Sequence, residues 1–152
     1  MAMTLNNLGN LLTDQQDAVG ARQAYEEALT IRRELAAAIP EIFRPAMAST
    51  LNNLGSLMHE QQDAAGSRQA YEEALTIRRE LAAANPEAFT LELCRALLSM
   101  AKLEVGADVT GQAAAQQHIS EAEKLLRGFP ESPLRNGLSV WAKRLRGQLK
   151  EA

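Results

Sequence analysis

The chain has 152 residues, of which 46% are hydrophobic and 23% charged, and it carries a formal net charge of −3. That length suits one domain able to bury roughly 68–70% of its unfolded surface, and the composition excludes a disordered chain. The acidic balance argues against nucleic acid, which calls for a basic face; no apolar run approaches the ~20 residues of a membrane span; and a lone cysteine, Cys94, rules out an internal disulfide.

The N-terminal stretch MAMTLNNLGNLLTDQQ has no basic segment leading into an apolar one, so no secretory leader is expected and a cytoplasmic location is. It reads as a helix that contains TLNNLG at Thr4–Gly9. Asparagine is a poor interior residue there, because its amide competes with the backbone for hydrogen bonds. The same six letters return at Thr50–Gly55. Laying residues 1–41 over 47–87 leaves 8 differences: Met3/Ser49, Asn10/Ser56, Leu12/Met58, Thr13/His59, Asp14/Glu60, Val19/Ala65, Ala21/Ser67 and Ile39/Asn85. The chain is therefore built by duplication with a period of 46.

Each unit divides into two helical stretches. In the second unit the first helix is expected over about Ala46–Gln62, opened by Pro45, with Met47, Leu51, Leu54, Leu57 and Met58 at helical spacing. Asp17 and Asp63 sit where a carboxylate caps the following helix. That helix, roughly Ala64–Ala84, is about 30 Å long at 1.5 Å per residue, and Tyr71, Ala74, Leu75, Ile77 and Leu81 supply its buried side. Pro40 and Pro86 prevent simple continuation.

The tail reads as a decayed third unit. Leu97, Met100 and Ala101 fall where Leu51, Leu54 and Gly55 stand, and Val105-Gly106-Ala107-Asp108 breaks the helix. Aligning Ile119 with Tyr71 and Ala122 with Ala74 then needs two inserted residues, and Gly128 suits a C-cap. Ser132-Pro133 starts a last helix with Leu134, Leu138, Trp141, Leu145 and Leu149 as its apolar stripe. Arg135, Lys143, Arg146 and Lys150 are expected mainly on its wet side. Such a helix would close the open end of a repeat stack. The expected segments are 1–45, 46–91, a degenerate 92–131, and a capping helix over 132–152 of one solenoid domain.

These placements resemble the tetratricopeptide repeat family, whose signature runs Trp-x-x-Leu-Gly-x-x-Tyr, Ala-x-x-x-Phe, Pro. Here Leu5, Leu8, Gly9 and Leu12, then Ala21 and Tyr25, fit it with Leu for the Trp and for the first Tyr; the second copy reads Leu51, Leu54, Gly55, Met58, Ser67 and Tyr71, and the period exceeds the family's usual ~34. Gly9, Gly55, Ala28 and Ala74 are small where paired helices meet. HEAT and armadillo repeats share the period but not the Leu-Gly and Tyr placement. The Asn-Asn pair and EEALTIRREL are similar to the longer variant found in kinesin light chains and in bacterial multidomain proteins. The resemblance implies an all-α, right-handed α-solenoid of antiparallel helix pairs. It also implies non-enzymatic binding of a peptide in a concave groove lined by the first helix of each repeat.

On those helices Leu5, Leu8 and Leu12 are expected to face the partner helix. Asn6, Asn10 and Thr13 then form a second stripe, with Asn52, Ser56 and His59 as its counterpart. The third unit offers Arg95, Leu98, Lys102 and Val105. An amide both donates and accepts, so such a ladder suits an extended peptide backbone, with Arg95 or Lys102 selecting an acidic side chain or a terminal carboxylate. By resemblance to kinesin light chains, Asn6, Asn10, Asn52 and also Asn7 and Asn53 contact the peptide. The alternative, weighed for Asn7 and Asn53 first and for Asn6 and Asn52 as well, is a hydrogen bond to the neighbouring helix that fixes stacking register. Leu5, Leu8 and Gly9 suffice for packing in this reading, and the asparagines are surplus to it.

No catalytic constellation is present in the sequence. His59-Glu60 is followed by Asp63 where a zinc-protease motif needs a second histidine, and His118 has no ligating neighbour, so no metal or cofactor is expected. Cys94 between Leu93 and Leu97 reads as buried packing. Arg32-Arg33 and Arg78-Arg79, following Glu26-Glu27 and Glu72-Glu73, read as solvated faces with ion pairs along the helix. The rival class is structural: a self-assembling module that dimerises through an uncovered first repeat, or a scaffold segment of a larger protein.

Overall fold

The computed structural model describes residues 1–149; the expectation for Lys150 lies outside them. The described residues form seven helices and no strand: α1 (Ala2–Asp14), α2 (Ala18–Ala38), α3 (Pro40–Glu60), α4 (Ala64–Ala84), α5 (Pro86–Val105), α6 (Val109–Arg127) and α7 (Pro133–Arg146). None of them is long and apolar enough to cross a membrane.

The duplicated Gln-Gln-Asp makes the same tight turn twice. Gln16 and Gln62 take left-handed backbone angles, φ 62° and 63°. Each turn is closed by two backbone bonds: Asp17 N–H to Leu12 O and Gln16 N–H to Thr13 O, repeated as Asp63 to Met58 and Gln62 to His59. The aspartate then caps the next helix, Asp17 accepting from Gly20 N–H at 3.0 Å and Asp63 from Gly66 N–H at 2.9 Å. Two closing bonds and a cap offset the ~1–2 kcal/mol that a left-handed non-glycine residue costs.

Two boundaries differ from expectation. The connector IPEIFRPA is helical: α3 starts at Pro40 and Pro45 lies inside it. Pro40 occupies a position whose N–H needs no partner, and Pro45, only five residues on, forfeits one helical bond near the start of the helix. Burial of Ala48, Thr50, Leu51 and Leu54 along the same helix outweighs that loss. α5 likewise starts at Pro86, where Asn85 caps it by accepting from Ala88 N–H at 3.2 Å. Gly128 follows α6 as expected of a C-cap, but in a right-handed conformation, φ −81°.

The chain divides into two compact units, Met1–Ile77 and Arg78–Ala152, with the division inside α4. In the first unit α1 and α2 run antiparallel, since Gly9 meets Tyr25, Gly20 lies near Leu12, and Asn6 reaches Arg32. The glycines are needed where they stand. A Cβ on Gly9 would lie 2.5 Å from the Tyr25 ring, and one on Gly55 would lie 2.7 Å from the Tyr71 ring. Both tyrosines are buried, with Ala21, Ala28, Leu29, Leu51, Leu54, Leu57, Ala74 and Leu75 around them in the core.

In the second unit α5 packs along α6, and α7 contacts both. Leu97, Met100, Ala101, Ile119, Ala122 and Leu126 are buried. An ion pair supports the two-residue insertion inferred for the decayed repeat. Arg33 binds Glu73 at 2.6 Å in the first unit, and Arg79 binds Glu121 at 2.7 Å in the second. The arginines are one period apart, while their partners are two residues further apart than that. Ser132 caps α7 by accepting from Arg135 N–H at 3.1 Å. Arg135 and Arg146, expected on the wet side, turn toward α6 instead. Arg135 Nε donates to Leu126 O at 3.1 Å, and Arg146 holds Glu123 through two bonds of 3.1 and 2.8 Å.

Candidate functional site

The stripe Asn6, Asn10, Thr13 is not spare surface. Asn6 Oδ1 accepts from Arg32 Nη1 of α2 at 3.2 Å and from Thr50 Oγ1 of α3 at 2.9 Å. Arg32 also donates to Ala46 O at 2.8 Å and, in a short contact, to Thr50 Oγ1. One turn on, Asn10 Oδ1 accepts from Tyr25 OH of α2 at 2.7 Å and from Asn53 Nδ2 of α3 at 3.1 Å. Each asparagine carbonyl thus ties α1 to both α2 and α3. The Asn6 junction fixes how the helices stack, because shifting it would strand the buried Arg32 and Thr50 side chains, while the Asn10–Asn53 bond is exposed and adds less.

This corrects the reading of the asparagines as surplus to packing. Of the four residues weighed as register pins, Asn6 bonds to α2 and α3 and Asn53 bridges to α1, whereas Asn7 is exposed and Asn52 Oδ1 has no partner among the described residues. Asn6 and Asn10 carry the larger structural share. The acceptor half of each amide is engaged, and no bond involves Nδ2 of Asn6 or Asn10 among the described residues. The bonds on Oδ1 fix the orientation of each amide, and its Nδ2 stays unbonded among the described residues.

The remaining stripe residues follow the same logic. Thr13 Oγ1 donates to Gly9 O at 2.9 Å and stands 3.4 Å from Tyr25 OH. Ser56, the counterpart of Asn10, hydrogen-bonds Tyr71. His59, the counterpart of Thr13, is half-buried. Asn52 Oδ1 is buried with no hydrogen-bond partner among the described residues. In the second unit Arg95 is exposed beside Glu92 at 3.8 Å and Lys102 is exposed on α5, but Leu98 is fully buried and offers no surface.

Arginine 32 is the residue that sequence reasoning missed. It is 7% exposed, so it is no solvated face. Burial pulls its guanidinium below the ordinary value, yet it stays charged, held by neutral oxygens. Its repeat counterpart Arg78 is equally buried but lies 3.6 Å from the Glu92 carboxylate. The available signal was its spacing, seven residues after Tyr25 and four after Ala28, on the buried face of α2. Leu8 departs the other way: expected against the partner helix, it is 42% exposed.

Two other groupings bear on chemistry. His118, expected at the surface or in the groove, is mostly buried with Nδ1 2.7 Å from the nearly inaccessible Glu104 carboxylate. A cavity of about 380 Å³ is lined by Glu123, Leu126, Arg127, Arg135, Ser139 and Lys143, and its one carboxylate is the one Arg146 neutralises. Cys94 is fully buried, and burial pushes its thiol up to about 12, far from a nucleophile's range. No group of three or more His, Cys, Asp or Glu side chains is arranged to hold a metal among the described residues.

Residues 1–80, more than half of the chain, match the family described as tetratricopeptide repeat. No curated protein matches the chain.

Proposed function

The chain belongs to the tetratricopeptide repeat family, whose repeats mediate protein–protein interactions, and on that premise we propose a non-enzymatic module that binds an extended peptide along α1 and α3. The observation that supports this reading is the division of labour within the amides. Oδ1 of Asn6 and Asn10 is anchored to α2 and α3, leaving Nδ2 to donate to successive carbonyl oxygens of a bound backbone. Donors fixed in advance lose little rotamer freedom on binding. Thr13, Asn52, Ser56 and His59 complete the stripe on the same two helices, and Asn7 is free for contact beside it. Arg95 and Lys102 are proposed, on α5 alone, to favour an acidic side chain or terminal carboxylate.

The test separates donor from scaffold. Asn6→Asp and Asn10→Asp keep the oxygen that accepts from Arg32, Thr50, Tyr25 and Asn53 but remove each Nδ2 donor. Peptides selected from a displayed library on the wild type should bind the double variant at least about tenfold more weakly, a loss of about 1.4 kcal/mol, while circular dichroism shows the helices intact. Equal binding by wild type and variant would sink the donor stripe.

A further inference from the structure

The cavity of the second unit is lined mainly by charged side chains. On α6, Glu123, Leu126 and Arg127 are three and four residues apart, and on α7, Arg135, Ser139 and Lys143 follow in steps of four. Each trio therefore lies on one face of its helix. The two faces enclose about 380 Å³, at the small end of the range of ligand sites, with Leu126 as the buried apolar member.

The chain as a whole carries −3, yet this lining is cationic. Its one carboxylate, Glu123, is taken up by Arg146 through bonds of 3.1 and 2.8 Å. Arg127 and Lys143 are exposed and have no ion pair among the described residues. Arg135 faces only Glu131, which is 84% exposed and 3.9 Å away, a pair that solvent screens. Helix dipoles account for part of this charge, because Arg127 and Lys143 lie in the last turns of α6 and α7. They do not account for Arg135, which lies in the first turn of α7, where the positive helix end disfavours a cation. Arg135 is nevertheless held half-buried there, its Nε donating to Leu126 O at 3.1 Å and its Nη1 to Asn136 Oδ1 at 3.2 Å. Its Nη2 makes no bond among the described residues. Ser139 donates to Arg135 O at 3.0 Å, so the donors left for a ligand are those of the cations.

We propose that this cavity binds the phosphate group of a phosphate monoester. Three cations around one small volume suit a dianion with three acceptor oxygens better than a single carboxylate. The fixed guanidinium of Arg135 supplies directed donors, and Arg127 and Lys143 supply charge from the exposed side. A small phosphate ester and a phosphorylated side chain of a protein carry the same group. The site shares no residue with the stripe on α1 and α3, so either reading can fail without the other.

The test titrates the full chain with O-phospho-L-serine, with a short alanine peptide containing one phosphoserine, and with acetate, following backbone amides by NMR. O-phospho-L-serine should give saturable shifts centred on α6 and α7, half-complete below about 5 mM. The affinity should rise between about pH 5 and pH 7.5 as the second phosphate proton, with a pKa of about 6, leaves. Arg127→Gln/Lys143→Gln alters two exposed side chains and should keep the helices by circular dichroism while weakening binding at least about tenfold. Lys143→Arg should retain most of the affinity. A peptide that binds about tenfold more tightly than the amino acid assigns the phosphate to a protein partner, and equal or weaker binding assigns it to a small ester. The absence of saturable shifts, equal binding by wild type and the double variant, or acetate binding as tightly as O-phospho-L-serine would each overturn the proposal.

Discussion

Asparagine 6 allows the polar junction to be tested by two substitutions of opposite sign. Asn6→Ala removes the acceptor for two bonds, one from the Arg32 guanidinium and one from the fully buried Thr50 hydroxyl. A bond to a charged donor is worth about 1.5–3 kcal/mol and a neutral one about 1 kcal/mol. Asn6 is only half-buried, so water replaces part of the loss, leaving about 1.5–3 kcal/mol of destabilisation. Asn6→Asp keeps both bonds and places a carboxylate where the amide oxygen lies 3.2 Å from Arg32 Nη1. The attraction at that range is about 5 kcal/mol gross at an effective dielectric near 20. Partial dehydration of the carboxylate takes back most of it, for a net gain of about 0.5–1.5 kcal/mol. Urea denaturation should therefore rank N6D above wild type and wild type above N6A. The gain carries a pH signature. A carboxylate beside a guanidinium titrates below its unfolded value, so the extra stability is present above about pH 4 and disappears as the pH falls through the depressed native value. If N6A lay within about 0.5 kcal/mol of wild type, the surface-mutation range, the junction would not hold these helices.

Three further outcomes follow from packing and burial. Gly55→Ala forces a methyl to within 2.7 Å of the Tyr71 ring and should cost about 1–3 kcal/mol, whereas Gly106→Ala, with nothing within 4 Å, should be neutral or stabilising by up to about 1 kcal/mol in the same denaturation assay. Burial raises the hydroxyls of Tyr25 and Tyr71 above 10.0 and the Cys94 thiol from 9.0 to about 12. The native chain thus holds these protons more tightly than the unfolded chain, and the stability they contribute is complete below about pH 8 and is lost as the pH climbs through the native values. Denaturation midpoints measured from pH 8 to 11 should fall, and Tyr71→Phe should flatten that fall. Cys94, fully buried, should resist iodoacetamide in the native chain at pH 8 and react at the rate of a free thiol only in denaturant.

Sequence alone determined the helix pairs, because the information is local and stated twice. The 46-residue repeat, the Gln-Gln-Asp turns, the aspartate and Ser132 caps, and the Gly9 and Gly55 gaps for Tyr25 and Tyr71 all depend on neighbours along one or two helices. Pro45 differs from its local signal for a related reason: a proline can open a helix or lie in its first turns, and only the burial accumulated along α3 chose the second.

Only the tertiary structure decided what the asparagines and arginines do. Asn6 and Asn52 stand in near-identical local sequence, as do Leu8 and Leu54, yet among the described residues Asn6 Oδ1 takes two donors while Asn52 Oδ1 takes none, and Leu8 is 42% exposed against 4% for Leu54. A duplicated sequence gives each copy the same side chains and helical periodicity. It cannot give each copy the same neighbours. Hydrogen-bond satisfaction and apolar burial are properties of what lies across the interface, so identical residues become a structural pin in one place and an open surface in another.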